Sequence, residues 1–386
     1  YLGSYASGNN YMDMSAITPS SMQLNKLKWE TTTEYNTGLD ATFLKGKLRF
    51  TVDVYQKYVK DLLQPKVKMP TTIGYGNGYQ ISYMNSGKMT NKGWEFRVDA
   101  VPFQNKDWRV GVYFNIAHNE NKITEMPDNY IEENYTFGNG NYAYRREEGR
   151  PMGSFYGYRY KGVYQNKDAT YARDIEGNVM KDISGNAIVM RNGSYTVAPG
   201  DAIYEDVNHD GVINQYDIVY LGNSNPRLTG GAGLNVSYKQ FKLSAIFYGR
   251  YGQDVVNATR LNNESMRGID NQSTAVLRRW RNEGDQTDIP RALYGEGYNT
   301  LGSDRFVEDA SYLRLKSLSF TYRLPKKAIQ RWGFNNIDVY VTGYNLFTWT
   351  NYTGQDPEVK TENTYAKDTA TTPASIQLVA GFNLSF

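Results

Sequence analysis

The chain has 386 residues, 22% of them charged, with 43 Lys and Arg against 40 Asp and Glu, and it contains no cysteine. The missing cysteines exclude a disulfide framework, a thiol nucleophile and a thiolate metal site, and the interspersed, near-balanced charge argues against a nucleic-acid-binding face. No run of about 18 apolar residues exists, so no transmembrane helix can be drawn; a spanning β-strand, however, needs only about 9–11 residues and carries an alternating signal that mean hydropathy averages away.

The 34 tyrosines and 36 glycines suit a chain of strands and turns, and a period of two marks where the strands lie. Leu39, Ala41 and Phe43 alternate with Gly38, Asp40 and Thr42, and after a short break Leu48, Phe50, Val52 and Val54 alternate with Arg49, Thr51, Asp53 and Tyr55. Trp94, Phe96, Val98 and Ala100 oppose Glu95, Arg97 and Asp99; Trp108, Val110, Val112, Phe114 and Ile116 oppose Arg109, Tyr113 and Asn115. Leu228, Ala232, Leu234, Val236 and Tyr238 then alternate with Thr229, Gly231, Gly233, Asn235 and Ser237, followed by Phe241, Leu243, Ala245 and Phe247 against Lys242, Ser244 and Tyr248. Over residues 311–324 the apolar phase starts odd at Leu313 and Leu315 and turns even at Leu318, Phe320 and Tyr322, a slip that predicts a bulge or a change of environment. Strands over residues 337–349 and 375–386 complete nine, the last with Ile376, Leu378, Ala380, Phe382, Leu384 and Phe386 on one face.

The connections fall into two classes. Lys45-Gly46, residues 103–106 and Lys239-Gln240 are tight turns, with 325–335 the one longer member; residues 60–90, 121–227, 251–306 and 351–374 are long polar excursions. Short turns at one end and long loops at the other predict an all-β fold, a transmembrane antiparallel β-barrel with its short turns on the periplasmic side. A soluble β-sandwich is the alternative, and it would mix loop lengths between its ends. Because Ile116 and Leu228 both lie near the long-loop end, zero or two strands separate them; residues 155–164, with Tyr156, Tyr158 and Tyr160, are the candidate for one of that pair, giving nine or eleven strands. An open sheet in lipid leaves two unpaired edges, at several kcal/mol per unpaired group. The chain is therefore expected to be a small barrel or a piece of a larger one, and its start at Tyr1 in mid-loop without a signal peptide favours the piece.

One stretch stands apart chemically. Asp206, Asn208, Asp210, Asn214 and Asp217 place oxygen-bearing side chains at positions 1, 3, 5, 9 and 12 of a calcium-type loop, with Gly211 at the bend and the Val212 carbonyl at position 7. Alternate oxygens pointing inward suit a hard cation, so a structural Ca2+ is predicted there; an Asx-rich turn is the competing reading. Asp217 in place of Glu at the last position shortens the arm. His118 and His209 are read as lone surface residues, and the glycines Gly74, Gly76 and Gly78 are not followed by a helix, which argues against phosphate binding. The inward charges Asp40, Arg49, Asp53, Glu95, Arg97, Asp99 and Arg109 are expected to form a solvated lumen wall pairing across strands, or a substrate path. Tyr130, Tyr135, Phe137, Tyr142 and Tyr144 are candidates for stacking on sugars.

Several runs carry a family resemblance: GRPMGSFYGYRYKGVYQ at residues 149–165, PGDAIYEDVNHDGVINQYD at 199–217, FVEDASYLRLKSLSFTYRLP at 306–325, VTGYNLFTWTNYTGQDPEV at 341–359 and the terminal strand, with LKWETTTEYNTGLD and NKGWEF upstream. In this order they resemble the SusC/RagA-like TonB-dependent outer-membrane transporters. The resemblance covers the C-terminal part of a family member; no TonB box or plug domain is recognisable in these residues. It implies that residues 1–386 supply roughly half of a plugged barrel of about 22 strands, located in the bacterial outer membrane and surrounded by its lipid. It further implies import of a large glycan or peptide, with no catalysis, energised by a TonB–ExbB–ExbD complex and assisted by a SusD-like surface lipoprotein. In that setting the calcium loop would stiffen an extracellular loop, and Phe386 would be a terminal aromatic read by the insertion machinery. An outer-membrane barrel enzyme, protease or lipase, and a calcium-dependent adhesin or receptor are the rivals.

Overall fold

The computed structural model describes residues 4–11, 14–68, 80–85, 87–126, 140–143, 146–362 and 365–386. Its main feature is one antiparallel sheet of nine strands: β1 Thr31–Phe43, β2 Leu48–Lys60, β3 Lys88–Gln104, β4 Trp108–Glu125, β5 Leu228–Tyr238, β6 Phe241–Tyr251, β7 Tyr312–Arg323, β8 Asn336–Thr350 and β9 Gln377–Ser385. Each strand pairs with its neighbours in sequence, so the sheet is a simple meander. The nine strands are those the alternation predicts. Among the described residues the sheet is open, because β1 and β9 each pair on one side only. No helix among them is long and apolar enough to cross a membrane.

The register keeps the two faces separate across the whole sheet. On the outer face, Leu39 pairs with Val52, Val52 with Phe96, Phe96 with Ile116, and Ala232 with both Phe114 and Phe247. Phe320 continues the row between Leu243 and Val341, and Val341 meets Ala380. A one-residue slip in any strand would send its apolar set to the polar side, so this face fixes the register. Aromatic pairs border the apolar band at both ends. At the short-turn end Phe43 stacks on Phe50 at 5.5 Å, Trp108 on Tyr238 at 4.2 Å, Phe241 on Tyr322 at 4.8 Å and Phe334 on Phe386 at 4.9 Å. At the long-loop end Trp94 lies 6.0 Å from His118, and Trp349 lies 6.4 Å from Phe247 and 6.2 Å from Phe347. Two aromatic girdles enclosing an apolar band are the mark of a membrane-spanning barrel wall.

The phase slip in β7 is a bulge. Pairing jumps from Phe247↔Leu315 to Ile246↔Ser317, leaving Lys316 unpaired and allowing Leu315 and Leu318 to share the outer face. Of the two counts left open between Ile116 and Leu228, zero and two strands, the structure has zero, because β4 pairs directly with β5 through Ile116↔Gly230. The candidate residues instead form two short strands, Ser154–Gly157 and Tyr160–Val163, which pair with Val219–Asn223 and Ala202–Tyr204 outside the sheet. Their alternating tyrosines, Tyr156 and Tyr158, are buried in a loop core rather than facing lipid.

The strands also run further than their apolar alternation. β1 begins at Thr31 and β2 ends at Lys60, where the ladder carries charged pairs such as Glu34 with Lys57 at 3.3 Å and Lys92 with Glu120 at 2.9 Å. Backbone pairing continues past the apolar band into water, so hydrophobicity marks the band and not the strand end. Among the long connections, residues 140–143, 146–226, 251–310, 351–362 and 365–374 build a packed assembly with cores around Tyr158, Tyr204 and Tyr298, around Phe155 and Phe306, and around Val255 and Tyr352. A small sheet of Val307–Asp309, Asp254–Asn257, Tyr365–Asp368 and Thr361–Glu362 ties them together. Two separate hairpins, Ser4–Tyr11 with Met14–Ser21 and Leu63–Lys68 with Gln80–Asn85, accompany the sheet.

Candidate functional site

The inner face of the sheet is polar and lined with charge. Near the short turns Arg49, Thr51, Arg97, Asp99 and Asn235 border a concavity of about 500 Å³; higher up, Glu34, Asp53, Tyr55, Lys57, Glu95 and Asn119 border another of about 410 Å³. The expected cross-strand pairing holds in part. Asp40 accepts from Thr51 Oγ1 at 2.5 Å and lies 3.8 Å from Arg49, and Arg323 reaches from β7 to Asp338 on β8 with two bonds of 2.8 and 2.9 Å. Arg97, by contrast, grips Asp99 two residues along its own strand at 2.7 and 2.8 Å. Asp53 sits directly opposite Glu95, a like-charge pairing that a wetted wall accommodates and a dry core would not.

A cluster that the sequence did not single out fastens one loop over this wall. Arg314 is buried and donates from Nε to Thr348 at 2.9 Å, from Nη1 to Glu358 at 2.9 Å and from Nη2 to Asp356, while Lys316 donates to the same Glu358 at 2.7 Å. Burial works against the Asp356 carboxylate, but the Ala374 and Glu358 backbone N–H groups and the Arg314 guanidinium outweigh it and hold its pKa below the ordinary value. Arg314 lies in β7 and its two acids some forty residues on, so only the sheet brings them together.

The loop assembly stands on buried ion pairs and on the hydrogen-bonded hydroxyls of Tyr142 and Tyr195. Asp201 is fully buried and accepts from Arg291 Nε at 2.7 Å, from the Tyr195 hydroxyl at 2.7 Å and from Ala198 N at 2.8 Å. Glu264 accepts from Arg305 at 2.8 Å and Arg260 at 3.0 Å. The Tyr142 hydroxyl donates to the Ser303 carbonyl at 2.7 Å, and burial pushes its pKa well up; Tyr164 is pushed up to about 12, by burial first and then by the Asp206 charge. Tyr142 is therefore no sugar platform: it is buried against Phe155 and Tyr365. Tyr130, Tyr135, Phe137 and Tyr144, with Gly74, Gly76 and Gly78, lie outside the described residues. His209 is exposed, and His118 stands at the outer rim beside Trp94, so the two histidines do serve separate places.

The acidic loop is a closed, self-bonded turn. Asp206 accepts from Asp210 N at 3.2 Å and Gly211 N at 2.8 Å, and Asp210 accepts from Val212 N at 2.8 Å and from the Asn208 amide at 2.9 Å. Asn214 caps the short helix Gln215–Asp217 by accepting from Tyr216 N at 2.8 Å, while its amide nitrogen donates to the Val212 carbonyl at 3.1 Å. Asp217 is buried and accepts from Val207 N and Asn214 N, both at 2.8 Å. Burial pushes its carboxyl up, and the Asp206 and Asp210 charges add to this. The turn conformation needs left-handed backbone at His209 (φ 55°) and Gly211 (φ 78°). Among the described residues no three His, Cys, Asp or Glu side chains are grouped so as to hold a metal ion. The donor types suit calcium, but the Asn214–Val212 and Asn208–Asp210 contacts must open before those oxygens can face one centre.

Comparison with known proteins decides the family. Residues 2–346 match the family described as TonB dependent receptor-like, beta-barrel. The chain belongs to the TonB-dependent receptor β-barrel family. It is 32% identical over 346 residues to TonB-dependent receptor P3 of Formosa agariphila, covering 88% of this chain and 32% of that protein. It is 29% identical to TonB-dependent receptor SusC of Bacteroides thetaiotaomicron, over 99% of this chain and 34% of that protein. A solved structure described as that of the RagAB peptide transporter superposes with a TM-score of 0.71 at 27% identity, covering all of this chain and 39% of that one. The chain thus spans about a third of the length of the curated relatives it matches. These relatives are receptors of the outer membrane and not enzymes, which places this TonB-dependent receptor chain in the outer membrane and sets aside the barrel-enzyme alternative.

Proposed function

We propose that this chain is the C-terminal barrel portion of a SusC/RagA-type importer that takes a large nutrient, an oligosaccharide or a peptide, across the outer membrane. The observation that carries this reading is the separation of faces over nine consecutive strands, apolar outside and charged inside, beneath a folded loop assembly. A wetted wall with opposed Asp53 and Glu95 suits passage of a polar solute, and the Arg314 cluster keeps one loop seated above it. Import by such a wall needs no covalent chemistry; it needs a movable plug, energy from a TonB–ExbB–ExbD complex and a SusD-like lipoprotein as lid. A relative named SusC supports the SusC type, and the description of a structural relative as a peptide transporter supports the peptide member of the two solute classes. Uptake of labelled oligosaccharides and peptides by cells carrying or lacking the receptor, each with and without functional TonB, tests it. Uptake that depends on both is expected, and uptake unaffected by loss of either sinks the proposal.

We further propose that the loop at Asp206, Asn208, Asp210, Val212, Asn214 and Asp217 takes a structural Ca2+. The support is that three carboxylates share one short turn, with the charges of Asp206 and Asp210 acting on buried Asp217, so a cation would relieve their repulsion. Calcium is expected to raise the melting temperature of the intact receptor saturably, an effect lost in the Asp206→Ala, Asp210→Ala double variant. Superimposable melting curves in calcium and in EDTA would exclude the site.

A further inference from the structure

One row of inner positions can be followed from strand to strand across the wall. Asp53 on β2 pairs with Glu95 on β3, Glu95 with Ala117 on β4, Ala117 with Thr229 on β5, Thr229 with Arg250 on β6 and Arg250 with Tyr312 on β7. The row is acidic at one end, small in the middle and basic at the other. Neighbouring strands lie about 4.8 Å apart, so the backbones of Glu95 and Arg250 stand about 14 Å from each other. Only the short side chains of Ala117 and Thr229 lie between them in the row.

Neither end is neutralised by its neighbours. Among the described residues Asp53 and Glu95 form no ion pair; the concavity of about 410 Å³ that they border also contains Lys57, but Lys57 is committed to Glu34 at 3.3 Å. Two carboxylates directly opposite each other on paired strands repel. Arg250 has no carboxylate partner among the described residues either: its Nε donates to the Tyr248 hydroxyl at 3.1 Å, while Glu358 and Asp356 are taken by Arg314 and Lys316. Beside it in the row Tyr312 is buried, and its hydroxyl has no hydrogen-bond partner. The two ends are further apart than the Debye length of about 8 Å, so in a wet lumen they do not neutralise each other. Elsewhere the same wall interleaves its signs, as Asp40 with Arg49 and Arg323 with Asp338 show.

We propose that this row is a subsite for a short peptide, which lies across the strands with its α-ammonium between Asp53 and Glu95 and its terminal carboxylate on Arg250. The guanidinium offers paired N–H donors to a carboxylate, and the same carboxylate gives the Tyr312 hydroxyl an acceptor that it otherwise lacks. An extended chain advances about 3.3–3.6 Å per residue, so about four residues span the gap over Ala117 and Thr229. A neutral oligosaccharide brings neither charge, and a uronate or an amino sugar brings only one. The inference rests on the import reading above and narrows its solute to the peptide class.

Calorimetric titration of the intact, purified receptor with tetra-alanine, its N-acetyl derivative and its C-terminal amide tests the assignment. The parent is expected to bind tetra-alanine about tenfold more tightly than either blocked peptide, the loss of one charged hydrogen-bonding group in each case. Arg250→Gln should bind the acid and the amide alike while still favouring the free amine, and the double variant Asp53→Asn, Glu95→Gln should do the reverse. A merely structural role would weaken all three peptides together. Heat-modifiable electrophoretic mobility reports which variants keep the barrel, and the comparison of the three peptides on the parent stands without them. Equal binding of the three by the parent, no binding at all, as when plug side chains neutralise the row, or loss of both preferences in a variant that keeps its mobility would overturn the proposal. The titration needs no transport, so its failure is separable from that of the import reading. Binding blind to the termini in a receptor with TonB-dependent uptake overturns the subsite alone, and terminus-selective binding without such uptake overturns the import reading alone.

Discussion

Gly233 and Tyr113 face each other across β4 and β5 on the inner wall, and a Cβ on the glycine would lie 1.9 Å from the tyrosine ring. The same arrangement recurs at Tyr55 over Gly93 and at Tyr340 over Gly381, each a directly paired couple. A glycine inside a strand costs about 0.5–1 kcal/mol relative to alanine, and a ring laid across it covers the bare backbone. The joint excess of tyrosine and glycine thus has an origin beyond turns and girdles, visible only once the registers are known. Gly233→Val should destabilise the barrel by about 1–3 kcal/mol through overpacking. Tyr113→Ser introduced alongside should restore part of that loss, giving a coupling energy of about 0.5–3 kcal/mol. Urea midpoints of the four proteins in detergent provide the measurement, and simple additivity would mean that the two side chains do not meet. In the loop assembly, Asp201→Ala strands Arg291 and the Tyr195 hydroxyl together. A cost of about 3–5 kcal/mol is expected from breaking a buried pair on one side. Limited proteolysis should then cut within residues 140–226 and 251–306 while the spanning strands stay protected; an unchanged digestion pattern would show that this pair does not hold the assembly.

At the level of elements, the nine spanning strands were readable from the sequence because each has one face in lipid and one in water, and a period of two survives wherever both are present. The β7 slip was readable for the same reason, since Leu315 and Leu318 can share a face only across a bulge. What alternation could not show lies outside the band. Strand ends such as Thr31 and Lys60 carry polar residues on both faces, and the short pairs of the loop assembly, Tyr160–Val163 with Ala202–Tyr204 among them, are too brief to show a period. Their tyrosines look like those of a spanning strand and sit instead in a core. The Arg314, Asp356 and Glu358 cluster was hidden by sequence distance, and the acidic loop was located by spacing that does not report how its oxygens are already used. The bulge itself makes a sharp prediction. Deleting Lys316 leaves Leu313, Leu315, Leu318 and Phe320 in regular alternation, so the barrel should still form while Glu358 loses one of its two cationic partners. Deleting Ser319 instead turns Phe320 and Tyr322 inward. Heat-modifiable mobility in outer-membrane fractions should persist in the first variant and vanish in the second; equal behaviour of the two would refute the bulge as a register device.

For the molecule as a whole, the decisive feature is that the sheet, over the described residues, has two edges. Every residue of β1 except Ala41 is exposed, and β9 is as bare on its far side. About half of the 13 residues of β1 turn their N–H and C=O groups away from β2, and each such group left unpaired in hydrocarbon costs several kcal/mol, so one edge alone amounts to tens of kcal/mol. No ledger of nine strands recovers that within lipid; closure by further strands does, and relatives about three times as long have the residues to supply them. The mean hydropathy of −0.65 conceals all of this, since the polar inner wall and the loop assembly outweigh an apolar band one side chain deep. Residues 1–386 expressed alone and directed to the outer membrane should therefore fail to give a heat-modifiable, protease-resistant species and should accumulate as aggregate. The same residues within a complete receptor barrel should give one, with both edge strands protected from backbone hydrogen exchange. Recovery of a folded nine-strand species from the membrane would show that the edges pair with each other, and that this stretch closes on itself as a small barrel rather than contributing a wall to a larger one.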